Sequence, residues 1–108
     1  MSAEELLQRL PARAAFHPDK MAKVDCFRSA RLLVGLNCFE AGQSQPVHAH
    51  AGADKFYLVV SGKARFVIGE RRAEAGPGDL ILAPAGMTHG VETALERTVL
   101  LVGMAPAP

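Results

Sequence analysis

The chain has 108 residues, a net charge of +1 and 49% apolar residues. That is one domain with enough apolar material for its own core. The balanced charge gives no electrostatic basis for binding nucleic acid or a membrane surface, and no apolar run approaches the length of a membrane span.

Acidic residues come early, at Glu4 and Glu5, and no long apolar stretch follows, so a secretory signal is not expected and a cytoplasmic location is. Residues 2–10 are predicted to form a short helix. Ser2 is its N-cap, Glu4 and Glu5 suit its first turn, and Leu6, Leu7 and Leu10 form an apolar stripe that must pack on the rest of the chain or on a second subunit. Pro11 is expected to stop it. Residues 11–23 read as a covering arm, in which His17, ahead of Pro18, is an exposed or capping histidine. Cys26 and Cys38 sit beside apolar residues and read as free thiols in a reducing compartment, although one disulfide is also compatible with the count.

Strand signals begin at Val24. Arg31–Phe39 is a near-continuous apolar strand, with a bulge expected at Gly35. Strands are predicted at Pro46–His50, Lys55–Val60, Ala64–Ile68, Leu80–Ala83, Gly90–Thr93 and Thr98–Met104. Gly69-Glu70-Arg71-Arg72 reads as a solvated turn and Gly76-Pro77-Gly78-Asp79 as a tight one. Residues 105–108 are expected to be loose. Many short strands with evenly spaced turns mean an all-β sandwich or barrel.

His48 and His50 are two residues apart, so on a strand both imidazoles aim the same way. Two histidines at the mouth of a buried strand read as part of a metal site. A third, His89, follows the turn Pro84-Ala85-Gly86. If Lys55 points inward, Tyr57 and Val59 share its face, while Phe56, Leu58 and Val60 form an outer face that needs a cover from the arm or from a second subunit. Alternation also admits only one of Asn37 and Cys38 to the interior.

Two stretches together resemble the paired signature motifs of the cupin family. The first runs Gly, five residues, His-x-His, three or four residues, Glu, six residues, Gly, and is met here by Gly42, His48, His50 and Gly62. The second runs Gly, five residues, Pro-x-Gly, two residues, His, three residues, Asn, and is met by Gly78, Pro84, Gly86 and His89. Two positions depart: Lys55 stands where the Glu belongs, and Thr93 where the Asn belongs. The resemblance implies a jelly-roll barrel over residues 24–104, behind an N-terminal arm at 1–23 and a tail at 105–108. It also implies His48, His50 and His89 as ligands of one divalent transition metal, whether zinc, iron, manganese, nickel or copper. A homodimer is expected, as many cupins form.

Lys55 complicates that picture, because an ammonium cannot coordinate. At about 4 Å from another positive unit charge it is repelled by roughly 4 kcal/mol at an effective dielectric near 20. Three arrangements are open to it: a swing away to pair with an acid such as Asp54, loss of its proton so that it serves as a base or hydrogen-bond partner, or replacement of the metal's charge in an anion-binding pocket. The shorter motif spacing makes Asp54 a fourth ligand, provided a bulge near Gly52 reverses the strand parity. Tyr57 can offer a hydroxyl to a substrate, or simply pack in the core. Two functions follow. One is a metalloenzyme of oxygenase or isomerase type acting on a small organic molecule, with Lys55 and Tyr57 as its nearby polar groups. The other is a non-catalytic or metal-free ligand-binding module.

Overall fold

The computed structural model describes residues 1–108. At the N-terminus the capping signal is realised: the Ser2 side chain accepts the Glu5 amide, and the Glu5 carboxylate accepts the Ser2 amide, both at 3.2 Å. The helix it opens, α1 (Ala3–Leu6), nevertheless lasts one turn, shorter than the expected 2–10. Leu6 and Leu7 remain 70% and 60% exposed, and so short a helix gains nothing from packing that would lengthen it. Pro11 does not stop a helix but lies in the first turn of a second one, α2 (Leu10–Arg13), where its missing N–H has no partner to lose.

The arm covers part of the barrel, as expected, and is also fastened to it by hydrogen bonds. Gln8 Nε2 donates to the Cys26 carbonyl at 2.8 Å, and Arg13 Nη2 to the Asp25 carbonyl at 3.0 Å. Leu10, Ala14 and Phe16 pack on the cluster of Leu36, Cys38 and Val99. His17 accepts the Asp19 amide at Nδ1, 3.1 Å, the capping role expected of it.

Nine strands follow: β1 (Ala22–Arg28), β2 (Leu33–Phe39), β3 (Gln45–His48), β4 (Asp54–Ser61), β5 (Ala64–Ile68), β6 (Arg71–Ala75), β7 (Leu80–Ala83), β8 (His89–Ala94) and β9 (Thr98–Ala105). They form two antiparallel sheets, of order β1-β2-β9-β4-β7 and β3-β8-β5-β6. Phe39, Tyr57, Val59 and Leu100 from the first meet Phe66 and Val91 from the second in one apolar core. This is the jelly-roll architecture expected.

Two local readings change. The bulge lies not at Gly35 but on its partner, between Asp25 and Phe27; Gly35 is needed because the Val24 carbonyl oxygen lies 2.7 Å from where a Cβ would stand. Arg71 and Arg72 belong to an edge strand rather than a solvated turn. β6 pairs with β5 from Ile68↔Arg71 to Ala64↔Ala75, and its outward charges masked the strand pattern.

On β4 burial alternates, with Lys55, Tyr57 and Val59 buried. The outer face of this sheet is covered unevenly. The arm shields the β1–β2–β9 side. On the other side Phe56 pairs with Leu82 and Leu58 with Leu80, and the two β7 leucines remain 60% and 59% exposed.

Candidate metal centre

The three histidines are brought together by strand pairing. His48 closes β3 directly opposite His89, which opens β8. β3 ends there, two residues earlier than expected, because its pairing with β8 runs no further. His50 lies beyond the strand, and its carbonyl accepts the Gly86 amide at 2.9 Å. That bond ties the His50 segment to the turn that delivers His89. The ring centroids are 4.4 Å apart for His48 and His89, 4.9 Å for His48 and His50, and 5.6 Å for His50 and His89. One nitrogen from each ring lies within 4.8 Å of the others.

Backbone carbonyls set two of the tautomers. His48 Nδ1 lies 2.8 Å from the Pro46 carbonyl oxygen, and His89 Nδ1 lies 3.0 Å from that of Met87. A carbonyl only accepts, so each Nδ1 carries the proton and each Nε2 keeps its lone pair. His89 is 1% exposed, and its Nε2 is buried without any hydrogen-bond partner. Such an orphan is costly unless something occupies its lone pair, and a cation shared with His48 and His50 fits the donor set. Burial is the main cause lowering the pKa of His50 and of His89, with the nearby Lys55 charge adding to it. Both rings are thereby held in the neutral form that metal binding needs.

Asp54 is not brought to this group. Its carboxylate is exposed and accepts the Ala85 amide at 2.9 Å, so it braces the Pro84–Gly86 turn from outside. Strand parity is not reversed, and Lys55, not Asp54, faces in. Tyr57 is fully buried and its hydroxyl donates to Gln45 Oε1 at 2.6 Å. Burial pushes its phenol pKa upward, and the hydroxyl is committed to that bond. The ring instead forms a platform, with the Lys55 ammonium 4.6 Å from its centroid on one side and the His89 ring 6.0 Å away on another. Of the two β2 candidates, Asn37 lines the interior cavity and Cys38 joins the cluster beneath the arm. Cys26 and Cys38 are both free thiols.

A cavity of about 470 Å³ opens in front of His48 and His50 and is also lined by Lys55. β1 contributes Lys23, Asp25 and Arg28 to its wall. Sequence reasoning misses these three, which lie at and just past the end of the expected arm. The alternation of Lys23 and Asp25 around Val24 is the available signal for an edge strand facing a polar space.

The family pattern for a cupin domain matches residues 35–102. The chain belongs to the cupin family. This cupin is 31% identical over 85 residues to an uncharacterised protein of Streptomyces coelicolor, SCO3923, across 79% of this chain and 80% of that one. Among solved structures it is similar to TT1209 from Thermus thermophilus, with a TM-score of 0.89 and 40% identity, covering 94% of this chain and 98% of the other. It is also similar to an RmlC-like cupin from Desulfovibrio desulfuricans, with a TM-score of 0.80 and 28% identity over 98% and 97% of the two chains. KdgF from Halomonas sp. shares the fold at a TM-score of 0.79 and 22% identity, over 88% and 86% of the two chains. No helix is long and apolar enough to cross a membrane.

Proposed function

We propose that this cupin binds one divalent transition-metal ion through Nε2 of His48, His50 and His89, and acts there on a small organic molecule admitted through the adjoining cavity. The observation that carries the reading is the buried, partnerless Nε2 of His89, facing two further imidazoles. When bound, the metal would polarise an oxygen of the bound molecule, the chemistry shared by oxygenase and isomerase centres. The chain's own groups do the rest. Three protein ligands leave open positions for the molecule. The carbonyls of Pro46 and Met87 fix the orientation of two rings, and the Tyr57 platform sets the distance between Lys55 and the triad. Lys55 presents its charge to the cavity, and burial, with Lys23 nearby, pushes its pKa down to about 8, so part of the population is a neutral amine at neutral to mildly alkaline pH.

A specific observation favours a second reading, a metal-free ligand-binding module: the position of the family's carboxylate is held by an inward ammonium. Elemental analysis of untagged protein separates the two. The metalloprotein reading expects stoichiometric metal that is lost in His50→Ala. A metal-free native protein that also takes up none from added zinc, iron or manganese leaves the second reading standing.

We also propose a homodimer, with a second copy covering the strip of Phe56, Leu58, Leu80 and Leu82 that the arm leaves bare. Two adjacent strands carry these large apolar side chains, the kind of patch a second copy covers across a twofold axis. Light scattering is expected to give twice the chain mass, and Leu82→Lys is expected to give the monomer mass. A native monomer would remove the proposal.

A further inference from the structure

The cavity beside the triad is charged in one sense. Lys23, Arg28 and Lys55 line it, and the only acidic side chain in its wall is Asp25. Arg28 is already committed. Its Nε lies 3.8 Å from the Asp25 carboxylate, and its Nη1 donates to the main-chain oxygen of Pro108 at 3.2 Å. The two lysines are not. Neither ammonium enters any of the ion pairs of the protein, and neither makes a side-chain hydrogen bond.

Lys55 is 7% exposed, and its only close partner is the face of the Tyr57 ring. An ammonium set deep in a cavity wall, reached by water only from the cavity and held by neither a carboxylate nor another acceptor, is partly desolvated at a cost. Lys23 stands across the cavity on β1 and repels it. Both costs fall when an anion enters between them. The geometry points to a small organic acid as the ligand of this cavity, its carboxylate held between Lys55 and Lys23 and its remaining oxygens directed toward the histidines. This rests on the metal-centre reading for the far end of the molecule only; the recognition of charge belongs to the two lysines. A carboxylate suits the pair because two oxygens can each take one ammonium.

The test uses two matched pairs, lactate with lactamide and benzoate with benzamide, titrated into chelator-treated and zinc-loaded full-length protein and followed by amide chemical shifts. At least one acid is expected to bind at least tenfold more tightly than its amide even without metal, shifting resonances of β1 and β4. Lys55→Met is expected to weaken that acid about tenfold or more, and Lys23→Gln several-fold, each with metal content unchanged. Lys23→Gln lies on an exposed edge strand, so it keeps the test decisive if Lys55→Met misfolds. Amides that bind as well as their acids, or an acid affinity untouched by both substitutions, overturn the inference. Acid binding in a protein that takes up no metal removes the metal reading and leaves this one. Bound metal without any preference for the acids does the reverse.

Discussion

Two groups of charged side chains sit on opposite sides of this barrel and are built in opposite ways. On the outer face of the four-stranded sheet, Arg65 reaches Glu74 at 3.0 Å and Glu92 at 3.4 Å, while Arg72 reaches Glu92 at 2.7 Å. Every charge there has a partner, and all of them face water. Around the cavity, Lys55 and, at its rim, Lys23 have no ion-pair partner, and the Nε2 of His89 has none of any kind. A fold that needed only solubility would have no use for the second arrangement. Exposed pairs cost little and give little. Unpaired buried donors and lone pairs are retained where a ligand completes them.

The largest effect short of metal loss is expected at Lys55. Its pKa is pushed down from 10.5 to about 8, first by burial and then by Lys23. Below about pH 8 the folded chain carries the full cost of the buried charge. Between about 8 and 10.5 the unfolded chain binds more protons than the folded one, so stability rises with pH. In chelator-treated protein, Lys55→Met is therefore expected to be more stable than wild type at pH 7 by about 1–2 kcal/mol, after allowance for solvent reaching the ammonium through the cavity mouth. The gap is expected to close as pH rises toward 10. Tyr57 and the two cysteines, whose pKa values burial raises, are common to both proteins and cancel in the difference. A gap that stays constant across this range would show that Lys55 is not held at a cost. The smallest effect is expected outside. Arg72→Ala is expected to move the thermal midpoint by less than about 2 °C and to leave metal content unchanged. A larger loss would mean that the outer network is structural and would blunt the contrast.

Much of the inside was legible in the chain, and the reasons are physical. Side-chain alternation placed Lys55, Tyr57 and Val59 on one inward face, and the motif spacing carried His89 to His48 and His50 although it is distant in sequence. Ser2 was legible as an N-cap and Glu5 as a first-turn acid, although that the two close a reciprocal capping box was read only from the structure. What was not legible depended on partners. How long the first helix would run depended on whether Leu6 and Leu7 found a surface to cover, and they do not. Whether the Tyr57 hydroxyl faced a substrate depended on Gln45, on another sheet. Asp54 was a plausible ligand until the Ala85 amide took its carboxylate. β6 hid behind its charges, and of β1 only the signals from Val24 onward were read, which left Lys23 with the expected arm and Arg28 without a role.

The central claim concerns three ring nitrogens, and nitrogen resonances of histidine-labelled protein report on them directly. On titration with zinc, the Nε2 signals of His48, His50 and His89 are expected to shift together and saturate at about one equivalent, with Nδ1 still protonated on His48 and His89, while His17 stays where it was. Zinc that leaves the His89 Nε2 signal unmoved, or that shifts His17 alone, would contradict the account.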